Sequence, residues 1–210
     1  HAGIQRWSSR LMPLFLLMLI ALIVYILQQE GAMAGVKSYL IPDFSQITDA
    51  KLIIAAMGQS FFSLAIGVGA MMVYGSYIQK GKNIGSLVLS IAALDTFIAF
   101  IAGLLIIPAL YVALHHGQEV FENGKLIGQG QLIFQILPSL FNSFGFVGSI
   151  LTLVLFALLS IAALTSTISS TEVVVAYLVE AKNLSRKKAT NGVSLVVFIA
   201  SLLIILNFEA

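Results

Sequence analysis

The chain contains no cysteine, which excludes disulfides, thiolate metal sites and cysteine nucleophiles together. Charge is also scarce, at 10% of the chain, where soluble domains carry roughly 25%. The net charge of +2 supplies no basic face for a nucleic acid, so none is expected as a partner. No zinc-protease helix, serine elbow or phosphate-binding loop occurs. His115 and His116 have no third ligand nearby in the pattern, so they do not read as a metal site. What replaces charge is apolar surface: 59% of the 210 residues are hydrophobic, and the mean hydropathy is +1.02. Such a chain cannot hide its apolar surface in one water-soluble core, so the bilayer is its natural solvent. It opens on His1 with no signal-peptide pattern before the first apolar run, which reads as a stretch of a longer protein joined at a cytoplasmic loop.

A membrane span needs roughly 20 apolar residues. Runs of that kind cover residues 11–28, 51–79, 84–114, 146–180 and 189–208, which predicts an all-α polytopic membrane protein in a single transmembrane domain over 1–210. The third and fourth runs reach ~45–50 Å at ~1.5 Å per residue, so both tilt or project beyond a ~30 Å core. Positive charge sets the orientation. With the N-terminus inside, Arg6, Arg10, Lys80, Lys82, Lys182, Arg186, Lys187 and Lys188 fall on the inner face. Lys37, Lys51 and Lys125 fall outside, where most acids gather (Glu30, Asp43, Asp49, Glu119, Glu122 and Glu209). In the outer connections, Ile41-Pro42-Asp43-Phe44 predicts a structured bend. The turn at Asn123-Gly124, with Gly128 and Gly130, precedes a predicted lid-like or re-entrant outer helix over about 130–141.

Three places in the apolar runs carry chemistry. The second run holds Gly58-Gln59-Ser60-Phe61-Phe62-Ser63-Leu64-Ala65-Ile66-Gly67-Val68-Gly69-Ala70. Two glycines so close in mid-span weaken a helix where lipid cannot satisfy free backbone groups, and broken backbone at that depth must face protein or a watery cavity. Close helix packing of small residues is the competing reading. In the third run, Asp95 is an intramembrane carboxylate, either on an ion or proton pathway or a hydrogen-bonded structural group. The fourth run holds Ala162-Ala163-Leu164-Thr165-Ser166-Thr167-Ile168-Ser169-Ser170-Thr171, followed by Glu172. Such hydroxyls either bond back to the carbonyl one turn earlier or line a cation site. Glu172 reads as part of an internal hydrogen-bond network. Asn183-Leu184-Ser185 matches a glycosylation triplet but falls on the cytoplasmic side.

With Gly58-Gln59-Ser60-Phe61-Phe62-Ser63-Leu64, Gly67-Val68-Gly69 and Ala163-Leu164-Thr165-Ser166-Thr167, the chain resembles the neurotransmitter:sodium symporter family, and above all its bacterial amino-acid transporters. Pro42-Asp43-Phe44, Tyr74-Gly75-Ser76-Tyr77 and Leu184-Ser185-Arg186-Lys187 extend the resemblance over essentially the whole length. It implies helices five to nine of an inverted-repeat bundle with one broken helix, without the family's first, third and tenth helices, which would be partners in the same transporter. It implies Na⁺ as coupling ion with no organic cofactor, an amino-acid substrate, no enzyme activity, and a place in a bacterial inner membrane.

Carried over residue by residue, the resemblance implies substrate contacts from Phe62, Ser63, Ala65, Val68, Ser166 and Ser170, with Phe62 as an aromatic lid. Sodium would be held at a first site by Ser63 and Asp95 and at a second by Ala162, Thr165 and Ser166. Gln59 would belong to the outer gate, Tyr77 and Glu180 to the inner one, and Gly67 and Gly69 to the helix break. Gly3 and Pro13 would let the inner end of the first span unwind; a proline in the first turns of a helix also costs little by itself. The family commonly carries asparagine where Asp95 stands, and its chloride-dependent members a serine where Ala99 stands, so the fixed carboxylate implies chloride-independent transport. A small apolar lining at Ala65 and Val68 leans towards a hydrophobic or aromatic substrate. Two other readings compete: a proton-coupled amino-acid permease with Asp95 or Glu172 as proton carrier, and an intramembrane enzyme, for which no nucleophile, base or metal set is visible.

Overall fold

The computed structural model describes residues 2–78, 81, 83–122, 125–126 and 128–208. His1, Gln79, Lys80, Lys82, the Asn123-Gly124 turn, Ile127, Glu209 and Ala210 lie outside the described residues. The chain is almost entirely helical. In order come α1 (Ala2–Leu27), α2 (Ala32–Leu40), a 3₁₀ turn (Phe44–Gln46), α3 (Ala50–Ser63), α4 (Ala70–Ser76) and α5 (Ile84–His115). A two-residue-wide hairpin follows, β1 (Phe121–Glu122) against β2 (Lys125–Leu126), antiparallel with Phe121 opposite Leu126. Then come α6 (Gln129–Gln131), a π turn (Leu132–Ile136), α7 (Leu137–Asn142), α8 (Gly145–Lys182) and α9 (Arg186–Phe208).

Among the described residues, four helices are long and apolar enough to cross a membrane: Ser9–Leu27, Ile84–His115, Gly145–Lys182 and Arg186–Leu206. The remaining predicted segment, 51–79, is not one helix, because the backbone leaves α3 after Ser63 and re-enters helix only at Ala70. At ~1.5 Å per residue the 38 residues of α8 reach ~57 Å, longer than the sequence pattern suggested. α9 begins at Arg186 rather than 189, since Asn183 takes a left-handed turn (φ 52°) and the helix restarts at once, with the Ala189 amide donating to the Ser185 carbonyl. Asparagine tolerates that conformation because its short polar side chain can bond locally.

The backbone forms two compact units: His1–Ala56 with Gly85–Ala162, and Met57–Ile84 with Ala163–Ala210. The core of the first unit follows from helical periodicity. α1 presents Leu19, Leu22, Ile23 and Ile26, the i, i+3, i+4, i+7 stripe of an amphipathic helix, to a cluster that includes Leu105, Ala109, Val112 and Ala113 of α5. The outer helix over 129–142 is part of the same core through Leu132, Leu137, Leu140 and Phe141. Its π turn explains the wide spacing from Leu132 to Leu137, since an extra residue per turn keeps both on the buried side.

The long outer connection after α1 carries a helix of its own, packed on α5. A Cβ at Gly35 of α2 would lie 2.6 Å from Cα of Pro108, so only glycine permits this approach. Farther along, the Tyr39 hydroxyl donates to the Phe100 carbonyl at 3.2 Å and crosses over Gly103, and its ring lies 5.5 Å from that of Phe100. The predicted bend at Pro42-Asp43 is the 3₁₀ turn, where the Asp43 carboxylate accepts from the Ser45 amide at 2.9 Å. Bonds from the Ser45 hydroxyl and amide hold that carboxyl below its ordinary value of 3.8. The cap is therefore fully present above that value and is lost as pH falls through the lower folded one.

Among the described residues of the second unit the buried ones are few: Glu172, Val175, Ala176 and Ala189. Most of α9 is apolar and exposed, as expected of a helix whose surroundings are lipid or further helices.

Two glycine substitutions separate packing from propensity. Gly35→Ala drives a methyl into the α5 backbone and costs about 1–3 kcal/mol. Gly192→Ala, where a Cβ meets nothing within 4 Å, is neutral or stabilising. Thermal midpoints of the purified protein in detergent check both, and equal midpoints for the two variants would contradict the α2–α5 contact.

Candidate functional site

The interruption between α3 and α4 is built by local backbone chemistry. The Ala65 amide donates to the Phe62 carbonyl at 3.1 Å and the Ile66 amide to the Phe61 carbonyl at 3.0 Å. This is the paired pattern of a Schellman C-cap, which needs a left-handed residue at its centre. That residue is Ala65, at φ 51°, although left-handed geometry costs a residue with a Cβ on the order of 1 kcal/mol. Gly67 (φ 88°) and Gly69 (φ 83°) then hold the next two positive turns, and Gly69 is the N-cap of α4. A Cβ at Gly69 would sit 3.5 Å from the Val173 side chain of α8, so the start of α4 lies against that helix. Three positive φ angles within five residues are what stop the helix.

Around this break the chain exposes Gln59, Phe62, Ser63 and Val68, with Phe62 83% exposed. Ser63 is the last residue of α3 and Ala65 lies half-buried in the break itself. On α8, Thr165 is half-buried while Ser166 and Ser170, one turn apart, are exposed; Ala162 lies one turn before Thr165 in the same helix. Two neighbouring hydroxyls follow the bland reading. Thr167 donates to the Ala163 carbonyl and Thr171 to that of Thr167, each at 2.8 Å, as membrane-helix hydroxyls ordinarily do. Asp95 is half-buried on α5, in the first unit, whereas Ser63 and Thr165 belong to the second. α1 runs as helix from Gly3 through Pro13 without interruption.

The second unit also contains a cluster that the sequence pattern only half indicated. Glu172, 5% exposed, is a carboxylate in an apolar helix and is fully partnered. Tyr77 Oη donates to its Oε1 at 2.9 Å, and Arg186 donates to Oε1 at 2.8 Å and to Oε2 at 2.6 Å. An ionised carboxylate buried without such partners would cost several kcal/mol. The network expected around Glu172 is thus present, with Arg186 as its cation. Arg186 counted in the sequence as one of the inner-face charges and as part of the Leu184-Ser185-Arg186-Lys187 motif, and no spacing rule links it to Glu172, because the contact crosses the turn between two helices. Glu180, the other inner-gate candidate, is exposed on the last turns of α8.

Against known proteins, a model of the sodium:neurotransmitter symporter family matches residues 2–209. The sodium-dependent transporter YhdH of Bacillus subtilis is 34% identical over 95% of this chain and 42% of its own length. A sodium-dependent transporter of Haemophilus influenzae is 36% identical over 89% of this chain and 38% of its own. Among solved structures, the crystal structure of MhsT in complex with L-phenylalanine superposes with a TM-score of 0.76 at 36% identity, covering 94% of this chain and 42% of that one. The chain therefore spans less than half the length of these relatives.

Two expectations follow from the geometry. Ala65→Gly relieves the left-handed alanine and raises stability by up to about 1 kcal/mol, whereas Gly67→Ala lowers it by about 1–2 kcal/mol; thermal melts in detergent read both signs, and a stabilising Gly67→Ala would contradict the break. Arg186→Ala strands the Glu172 carboxylate and costs about 2 kcal/mol, discounted from the fully buried case because the arginine side chain is 41% exposed, while the double change Arg186→Met with Glu172→Leu recovers most of it. A double-mutant cycle measures the recovery, and simple additivity of the two losses would argue against the pair.

Proposed function

This chain belongs to the sodium:neurotransmitter symporter family, and we propose that it forms the middle of a transporter that couples inward Na⁺ movement to uptake of a hydrophobic or aromatic amino acid. It is a multi-pass membrane protein of the bacterial plasma membrane. The observation that carries the proposal is the interruption at Ala65, Gly67 and Gly69, which opens backbone carbonyls and amides between two helices of an otherwise apolar segment. Free carbonyls attract a cation and free amides an anion, which suits a zwitterionic amino acid travelling with Na⁺.

In this reading Phe62, Ser63, Ala65 and Val68 contact the substrate from the broken segment, and Ser166 and Ser170 from α8. Phe62 is the aromatic lid. Na⁺ is held by hard oxygens at two sites, the first with the Ser63 hydroxyl and the Asp95 carboxylate, the second with the Ala162 carbonyl and the hydroxyls of Thr165 and Ser166. Gln59 serves the outer gate, and Tyr77 with Glu180 the inner one. Unwinding of α1 between Gly3 and Pro13 opens the inner water path. The remaining partners are the other helices of the same transporter. MhsT, solved in complex with L-phenylalanine, supports an aromatic substrate. Sodium is an adequate driver, since each ion moved inward is worth about 2.3 kcal/mol per 100 mV before its gradient is counted.

Asp95 bears on the choice of co-ion. A fixed carboxylate beside Na⁺ supplies the negative charge that a mobile anion would otherwise bring, and Ala99 one turn on offers no hydroxyl to hold chloride. Transport is accordingly independent of chloride.

Labelled phenylalanine, leucine and tryptophan uptake into proteoliposomes holding the full-length transporter tests the whole reading. Uptake is expected to require an inward Na⁺ gradient, to persist when chloride is replaced by gluconate, and to fall at least tenfold in Thr165→Val and Asp95→Asn, through weaker Na⁺ affinity. Equal uptake on a proton gradient in sodium-free buffer would establish a proton-coupled permease in its place.

A further inference from the structure

α4 is tied to one turn of α8 at both of its ends. At its start, a Cβ on Gly69 would lie 3.5 Å from Cγ1 of Val173. At its close, Tyr77 Oη donates to Glu172 Oε1 at 2.9 Å. Gly69 brings no side chain to this approach, and its left-handed φ of 83° keeps the position for glycine. The space between the last residue of the break and α8 is therefore filled from α8, by Val173. Gly67, two residues earlier, has nothing within 4 Å of a Cβ among the described residues, so the approach is confined to this end of the break.

Val173 shares a face of α8 with the two serines of the site. Ser166, Ser170 and Val173 stand at i, i+4 and i+7, the repeat that lines one side of a helix. At ~1.5 Å per residue Val173 lies ~10 Å along the axis from Ser166 and ~5 Å from Ser170. Helical side chains lean towards the N-terminus of their helix, so the half-buried isopropyl group covers the turn that carries Ser170. The positive-inside orientation puts Val173 on the cytoplasmic side of both serines. Across the gap, Val68 directly precedes Gly69 and is exposed. A β-branched side chain in a helix is held close to one rotamer, so this wall is stiff as well as apolar. Such a wall discriminates by length, at about tenfold or more per methylene.

We propose that Val173 is a specificity-determining residue: its side chain closes the cytoplasmic end of the space between the break and α8, opposite Gly69, and sets the length of substrate side chain admitted there. This rests on the amino-acid transport reading of the same site.

Uptake of labelled leucine and tryptophan into proteoliposomes holding the full-length transporter, under one inward Na⁺ gradient, tests it through the ratio of kcat/KM for the two substrates. Val173→Ala lengthens the space and raises the tryptophan-to-leucine ratio about tenfold, whereas Val173→Leu shortens it and lowers the ratio about tenfold. Val173→Thr, which keeps the shape and can bond its hydroxyl back within the helix, holds the ratio within about threefold. Val174→Ala, on the neighbouring exposed position, does the same. Each ratio is taken within one variant, so it does not depend on how much of that variant folds. A role in packing alone lowers the thermal midpoint and leaves the ratio where it was. Unchanged ratios in the alanine and leucine variants, or shifts of the same sign in both, would overturn the inference and leave the transport reading standing. Absence of any leucine or tryptophan uptake by the unsubstituted protein overturns that reading, and the inference with it.

Discussion

Backbone amides and carbonyls that lose their helical partners inside an apolar layer have no water to turn to, and this chain answers that constraint at one place in its second unit. The Schellman bonds at Ala65 and Ile66 satisfy some of the freed groups locally, and the left-handed glycines let the chain re-form a helix at Ala70 without a clash. An alanine accepted at the left-handed centre of that cap is a small, specific strain, held by the structure on either side. Such strain recurs where backbone is bent towards a ligand, and here it coincides with the stretch that carries most of the substrate candidates.

A second constraint is the burial of charge. Glu172 is buried on α8 directly after a run of hydroxyl residues, and it is satisfied by a tyrosine from the end of α4 and an arginine from the start of α9. That one carboxylate ties together three segments of the second unit, including the short helix that follows the break. It also changes how the inner charges divide. Arg186 is engaged with Glu172, while Lys182, Lys187 and Lys188 around it are exposed.

The first unit is the better packed of the two. Its core is assembled from ordinary stripes of leucine, isoleucine and alanine, and glycines are placed where helices must touch through their backbones, as at Gly35 on Pro108. The outer helix α2 and the segment over 129–142 are both seated on this core, so the outer connections are packed elements and not loose loops. Side chains locked by such packing keep their geometry.

Much of this was legible in the order of residues alone. Scarce charge and long apolar runs determined that the chain is made of membrane helices, because lipid rejects charge whatever the neighbours are, and lysine and arginine placement supplied the expected orientation. The glycine pair marked where a helix was weak. Only the folded chain decided that this weakness becomes a break instead of a close packing contact, since the outcome hangs on Ala65 taking a left-handed conformation that no propensity favours. Tertiary structure likewise decided that α2 lies on α5 and that Arg186, one of several inner cations, is the partner of Glu172. Periodicity is written in neighbours three and four residues apart, whereas these contacts join residues from separate helices, whose distance only the finished packing determines.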